Sequence, residues 1–132
     1  MTRINRPTLA ACTLALLALC GTAQAQEKTW SGAAQNWTWN AEPQCKLRLD
    51  QISQPNAGQP IHVTATNTSK VRLQYTLQVR VLRSGKEVFK DSVLVDNANP
   101  GERSLRPTGQ ALQGALSGAS VRVALTACSV RS

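Results

Sequence analysis

An all-β fold of two packed layers is predicted by three features of the chain. Apolar and polar residues alternate with period two through most of its second half, most clearly in "RLQYTLQVRVL" from Arg72 to Leu82. Such alternation suits a strand with one dry face and one wet face. Clusters rich in Gly, Pro, Asn and Ser recur between these stretches, where hairpins and crossovers need turns. Helical spacing of apolar residues is nowhere sustained beyond one or two turns.

The chain opens on a segment of another kind. Arg3 and Arg6 precede the apolar run "LAACTLALLALCG", and Ala23-Gln24-Ala25 then offers small residues at both positions that signal peptidase reads. This pattern predicts an export signal over residues 1–25, cleaved after Ala25, too short and wrongly flanked for a membrane anchor. Lipidation at Cys20 is the competing reading, with bulky Leu19 where a small residue is wanted; Cys12 precedes most of the apolar run. Removing 25 of the 132 residues leaves 107, enough for one domain with one core. It also leaves Cys45 and Cys128 as the last two of four cysteines. In an oxidising compartment they are expected to bond to each other. The bridge would close a loop of 84 residues, counting both ends. Loop-closure entropy puts that at about 4.5 kcal/mol. Without Arg3 and Arg6, 13 basic residues face 7 acidic ones, a net charge of +6. The localisation predicted is periplasmic or secreted.

The elements follow in order. Residues 26–43 form a Trp-rich lead-in holding all three tryptophans, Trp30, Trp37 and Trp39. In an extended "WTW" the last two point the same way. They are read as a first strand whose rings plug a core otherwise made of Leu, Val and Ala. Trp30, beside "SGAAQ", is read as an exposed ring for a partner. The main domain is assigned to residues 44–132. "CKLRL" places Cys45, Leu47 and Leu49 inside with Lys46, Arg48 and Asp50 outside. After the turn-rich "SQPNAGQP", "IHVTA" points Ile61, Val63 and Ala65 inward and His62, Thr64 and Thr66 outward. The long strand buries Leu73, Tyr75, Leu77, Val79 and Val81. Its continuation through "RSGKE" into "EVFKDSVLV" predicts a hairpin with a three-residue loop, Ser84-Gly85-Lys86. Val81 then faces Phe89, Leu77 faces Val93, Tyr75 faces Val95 and Arg83 faces Glu87. The same register sets Val79 against Asp91 and Arg80 against Lys90, a conflict that a bulge or another loop would relieve. "DNANPGERS" is a turn region, and "QALQGALSGAS" is read as at most one or two helical turns because of its glycines. In the closing "SVRVALTACSV", Val121, Val123, Leu125 and Ala127 share one parity and Cys128 takes the other. Either a bulge near Thr126 or a bridge at the sheet margin must resolve this.

Six to seven short strands without a long helix point to a β-sandwich of immunoglobulin or fibronectin type, with a small barrel as the alternative. The Trp expected between the cysteines of an antibody-like domain is missing.

Catalysis has little to build on. His62 is the single histidine and lies on a predicted wet face. No free mature thiol is left, no Ser sits in a G-x-S-x-G context, and zinc would need three or four ligands at recognisable spacing. The carboxylates Glu42, Asp50, Glu87, Asp91, Asp96 and Glu102 are scattered. No catalytic residue, metal ligand or cofactor is therefore assigned, and neither nucleic acid nor stable membrane insertion is expected. Binding by surface is left. The candidate partner-binding residues are Arg72, Gln74, Thr76, Gln78, Arg80, Lys46, Arg48 and Trp30, joined by Arg122 if neighbouring strands bring the cations onto one wall. Two glycosylation sequons, at Asn36 and Asn67, are read as coincidental.

Gln44-Cys45 opening the first core strand, "YTLQVRVLRSGK", the "PGE" of Pro100–Glu102 and the closing "ACSV" together carry a resemblance over residues 44–129. They resemble the small secreted curli-assembly inhibitors, immunoglobulin-like domains that restrain amyloid polymerisation of curlin subunits. The Trp-rich lead-in and "QALQGALSG" depart from that pattern. The resemblance implies no catalysis. It implies reversible capture of an aggregation-prone chain by a strand edge or by a polar sheet face. Two other classes compete: an inhibitor of a secreted hydrolase such as a protease or lysozyme, entering by "DNANPGERS", and an accessory subunit of an envelope secretion or adhesion assembly.

Overall fold

The computed structural model describes residues 26–38 and 45–131. The export signal, the Cys20 alternative, Trp39 and Glu42 lie outside the described residues.

Eight strands and no helix make up the described chain: β1 (Gln26–Thr29), β2 (Gln35–Thr38), β3 (Lys46–Ser53), β4 (Pro60–Asn67), β5 (Leu73–Arg83), β6 (Lys86–Ala98), β7 (Arg103–Ala111) and β8 (Ser120–Val130). They form two four-stranded antiparallel sheets, ordered β1-β8-β5-β6 and β2-β3-β4-β7. Period-two alternation places Leu47, Leu49, Ile61 and Val63 of the second sheet in one core with Leu73, Leu77, Val79, Val81, Val123 and Leu125 of the first. Cys45, just before β3, bonds to Cys128 in β8 and so ties one sheet to the other. The described part of the Trp-rich lead-in is divided between the sheets: β1 pairs with β8 and β2 with β3.

The parity conflict at Cys128 is settled by a bulge. Leu125 pairs with Leu77 but Ala127 pairs with Thr76, so Thr126 is the extra residue. Beyond it Ala127 turns outward and Cys128, opposite Tyr75, turns into the core. The β5–β6 hairpin keeps the expected pairs of Val81 with Phe89, Leu77 with Val93 and Tyr75 with Val95. Its loop is shorter than the sequence suggests. Arg83 pairs with Lys86 across a two-residue turn, in which Ser84 and Gly85 have φ of 53° and 76°. Positive φ at both positions gives a turn whose twist matches the strands. A bulge between Leu82 and Val81 restores the register. Arg83 therefore does not meet Glu87, which bonds to Arg80 instead.

Asp91 does lie opposite Val79, and its position explains the apparent conflict. β6 is a sheet edge, and Asp91 accepts the Gln110 backbone N–H of β7, the neighbouring edge of the other sheet, at 2.8 Å. An inward-pointing charge on an edge strand also discourages pairing with a further chain.

One strand has no counterpart in the sequence reading and one expectation fails, both for local reasons. β7 carries no apolar alternation, and Pro107 and Gly109 read as turn residues, yet an edge strand tolerates both. "QALQGALSGAS" forms no helix beyond the last residues of β7, because its carbonyls are claimed elsewhere. Gln54 donates to the carbonyls of Leu112 and Gly114 and accepts the N–H of Leu116. Arg83 donates to the carbonyls of Gln113 and Ala115.

Of the tryptophans, Trp37 is the expected plug, 2% exposed within the core. Trp30 is not the exposed ring that was expected. It is half-buried against the core margin, and the residue's backbone N–H donates to the Val121 carbonyl at 2.7 Å.

Tyr75 gives the core a pH limit. Its hydroxyl is buried, with the Ser104 side chain beside it. Burial pushes the phenol up to about 12, with Ser104 and Arg106 holding it down in part. A raised pKa in the fold means that the unfolded chain loses this proton first. Stability is intact below the ordinary value of 10.0 and is lost as pH rises toward 12. The loss should approach roughly 2–3 kcal/mol, at about 1.4 kcal/mol per unit. Urea titrations between these limits should show it, and Tyr75→Phe should flatten the decline while costing little at neutral pH.

Candidate functional site

The outer face of the β1-β8-β5-β6 sheet collects the row predicted on β5. Gln74, Thr76, Gln78 and Arg80 alternate with the core residues and are all half-buried by their neighbours across the sheet. Pairing decides those neighbours. Arg80 stands between Lys90 of β6 and Arg122 of β8, so three cations lie abreast. Gln78 stands between Ser92 and Ala124, and Thr76 between Leu94 and Ala127. Gln74 faces Ser129 and accepts a bond from Arg131 at 3.2 Å. The result is a surface of amides and hydroxyls with three cations abreast at one end, Arg131 at the other and an exposed leucine, Leu94, 52% accessible, beside Thr76.

Two carboxylates fix the cationic end. Arg80 donates to Glu87 at 2.7 Å and to Glu27 at 2.8 Å, and both bonds raise its pKa. Arg122 lies 4.0 Å from the same Glu27. Lys90 has no carboxylate within salt-bridge distance among the described residues. Exposed pairs of this kind contribute little to stability, but they hold long side chains in one geometry.

Other candidates lie elsewhere. Lys46 and Arg48 occupy the outer face of β3, in the opposite sheet, so one continuous basic wall does not form. Arg48 is occupied by Asp50 at 2.6 Å and by the Thr66 hydroxyl at 3.3 Å. There the row runs Asn36, Arg48, Thr66, Arg103 across four strands. Arg72 is exposed just before β5, and its carbonyl accepts the Arg131 N–H at 2.8 Å. Trp30 belongs to the core margin. His62 sits half-buried opposite Ser53 and Pro107, and among the described residues no three His, Cys, Asp or Glu side chains cluster as a metal site.

Sequence reasoning missed Glu27, the residue that joins β1 to the cationic row across β8. It lies in a segment without apolar alternation, where no strand is signalled. Lys90 was legible, because the predicted hairpin register already set it opposite Arg80.

Among the described residues no helix is long and apolar enough to cross a membrane. Comparison with protein-family profiles, with curated proteins and with solved structures finds no match to this chain.

Proposed function

We propose that this protein is an exported, non-enzymatic protein-binding module that restrains amyloid assembly of curli type, using the outer face of the β1-β8-β5-β6 sheet. The observation that carries this reading is the surface itself. Gln74, Thr76, Gln78, Ser92 and Ser129 present amides and hydroxyls on a rigid sheet, with Lys90, Arg80 and Arg122 abreast at one end. Extended amide-rich chains offer the complementary donors and acceptors, and the basic end favours acidic partners.

An immunoglobulin- or fibronectin-type sandwich is the finer fold reading, supported by the connections. β3, β4 and β7 adjoin in one sheet and β6, β5 and β8 in the other, with crossings among these strands after β4, β6 and β7 and a further crossing after β1. β1 runs antiparallel beside β8, where such a fold carries its last strand. Export is supported by the disulfide, a bond that persists in oxidising compartments.

The test is curlin fibrillation followed by amyloid-dye fluorescence. Sub-stoichiometric protein should lengthen the lag, and a Gln74→Ala/Gln78→Ala variant, altered only on the outer face, should shorten that delay several-fold. No delay at equimolar wild-type protein sinks the reading.

A further inference from the structure

β1 is held as a bound peptide is held. Its backbone pairs with β8 only from Arg122 to Leu125, and none of its four residues is buried. Its four residues are nevertheless all recognised, three by β2 and one by a pair of guanidinium groups on β5 and β8. Gln26 donates its amide to the Thr38 carbonyl at 2.7 Å. Glu27 accepts Arg80 at 2.8 Å and lies 4.0 Å from Arg122. The Lys28 ammonium stands 6.0 Å from the centre of the Trp37 ring. The Thr29 carbonyl accepts the Gln35 amide at 2.7 Å. Trp30 then anchors the segment at the core margin.

The tether has little to hold it. Ser31 to Ala34 are all exposed, and Gly32, at φ 87°, has open space around the position of a side chain. Released from that turn, four residues reach roughly 14 Å. Detaching β1 breaks exposed ion pairs and hydrogen bonds that are individually weak. It also uncovers the backbone of β8, and a bare strand edge is a template for another strand.

We propose that the β8 edge is an exchangeable strand-acceptor site, whose second occupant is residues 26–30 of another copy of this chain. The occupant is argued from complementarity. The site offers a β2 carbonyl for an amide, two guanidinium groups from β5 and β8 for a carboxylate and the Trp37 ring of β2 for a cation, in the order in which the bound strand meets them. A second copy brings Gln26, Glu27, Lys28 and Trp30 in that order and regains every contact, as reciprocal exchange of an identical element does.

A charge-exchange pair tests this without relying on the proposed function, because the readout is mass and not amyloid delay. In Glu27→Arg the donor strand meets Arg80 of its own domain, and in Arg80→Glu the site repels its own Glu27. Each variant alone should be no more dimeric than wild type. Mixed, the strand of one matches the site of the other in both directions. Native mass spectrometry and sedimentation should then show a heterodimer, its association constant about tenfold or more above that of either variant alone. A mixture no more dimeric than its components overturns the proposal. Circular dichroism checks that each variant folds. If either does not, equal amounts of isotopically labelled and unlabelled wild-type chain replace them. Mixed-mass dimers are expected there. They should disappear when Glu27→Cys/Ala124→Cys, a directly opposed pair, ties β1 to its own β8. Failure to form mixed-mass dimers, or their persistence in the oxidised tied chain, also overturns it.

Discussion

Cys45→Ala/Cys128→Ala is expected to lower the unfolding free energy by about 4 kcal/mol, most of the margin of a small domain. The two cysteines are 83 residues apart, so the bond restrains nearly the whole described chain when it unfolds. Both side chains are buried, Cys45 fully and Cys128 nearly so, and alanine fills most of each site. The loss should therefore come chiefly from the freed unfolded chain, with the native sheets retained. Urea unfolding of the oxidised wild type and the double variant, in parallel with far-ultraviolet circular dichroism, measures both. A difference under about 1 kcal/mol would mean that the inter-sheet bond adds little to the packed core, against the loop-closure account.

Asn67→Ala should cost about 3 kcal/mol, because it strips four partners at once. Asn67 is fully buried at the end of β4, where the chain leaves one sheet for the other. Its amide donates to the carbonyls of Val71 and Ala98 at 2.8 and 2.9 Å, and its oxygen accepts the Ser69 N–H at 2.9 Å and the Ser69 hydroxyl. Its backbone is engaged as well, with the Glu102 carbonyl and the Gly101 N–H. One side chain thus fastens the β4–β5 crossing to the end of β6. Alanine takes the side-chain partner from the Ala98 carbonyl and the Ser69 N–H, each with a desolvation cost, while the Val71 carbonyl keeps the Ser69 hydroxyl. Thermal unfolding should shift down by roughly 15 °C for a domain of this size. Asn67→Asp tests the donors separately. A carboxylate cannot donate to Val71 and Ala98, and at neutral pH this variant should be less stable than the alanine one. Equal stability of all three chains would show that the network contributes nothing. The burial also removes Asn67 from the surface, so its sequon is inaccessible in the folded chain.

Both residues illustrate what could be read in advance. The Cys45–Cys128 pairing followed from counting thiols once an export signal was assumed. The importance of Asn67 did not follow, because "NTSK" reads only as a turn, and a turn does not reveal which distant carbonyls it meets. The same division runs through the site. Gln74, Thr76, Gln78 and Arg80 were legible as one row, since strand parity alone fixes which side chains share a face. Lys46 and Arg48 could not be assigned to the same wall or to another, because parity says nothing about which strands become neighbours.

Local chemistry determined the strands β3, β4, β5, β6 and β8, their inward residues as far as Leu125 and the hairpin register beyond its turn. Alternation and turn residues act over distances that a single stretch contains. Tertiary structure alone decided the bulge at Thr126, the edge strand β7, the placing of β1 beside β8 and the clasp of Glu27 on Arg80. Each depends on backbone groups or charges supplied by segments far away in the chain. Edge strands need little apolar pattern of their own, because neighbouring strands and side chains provide the partners that hold them.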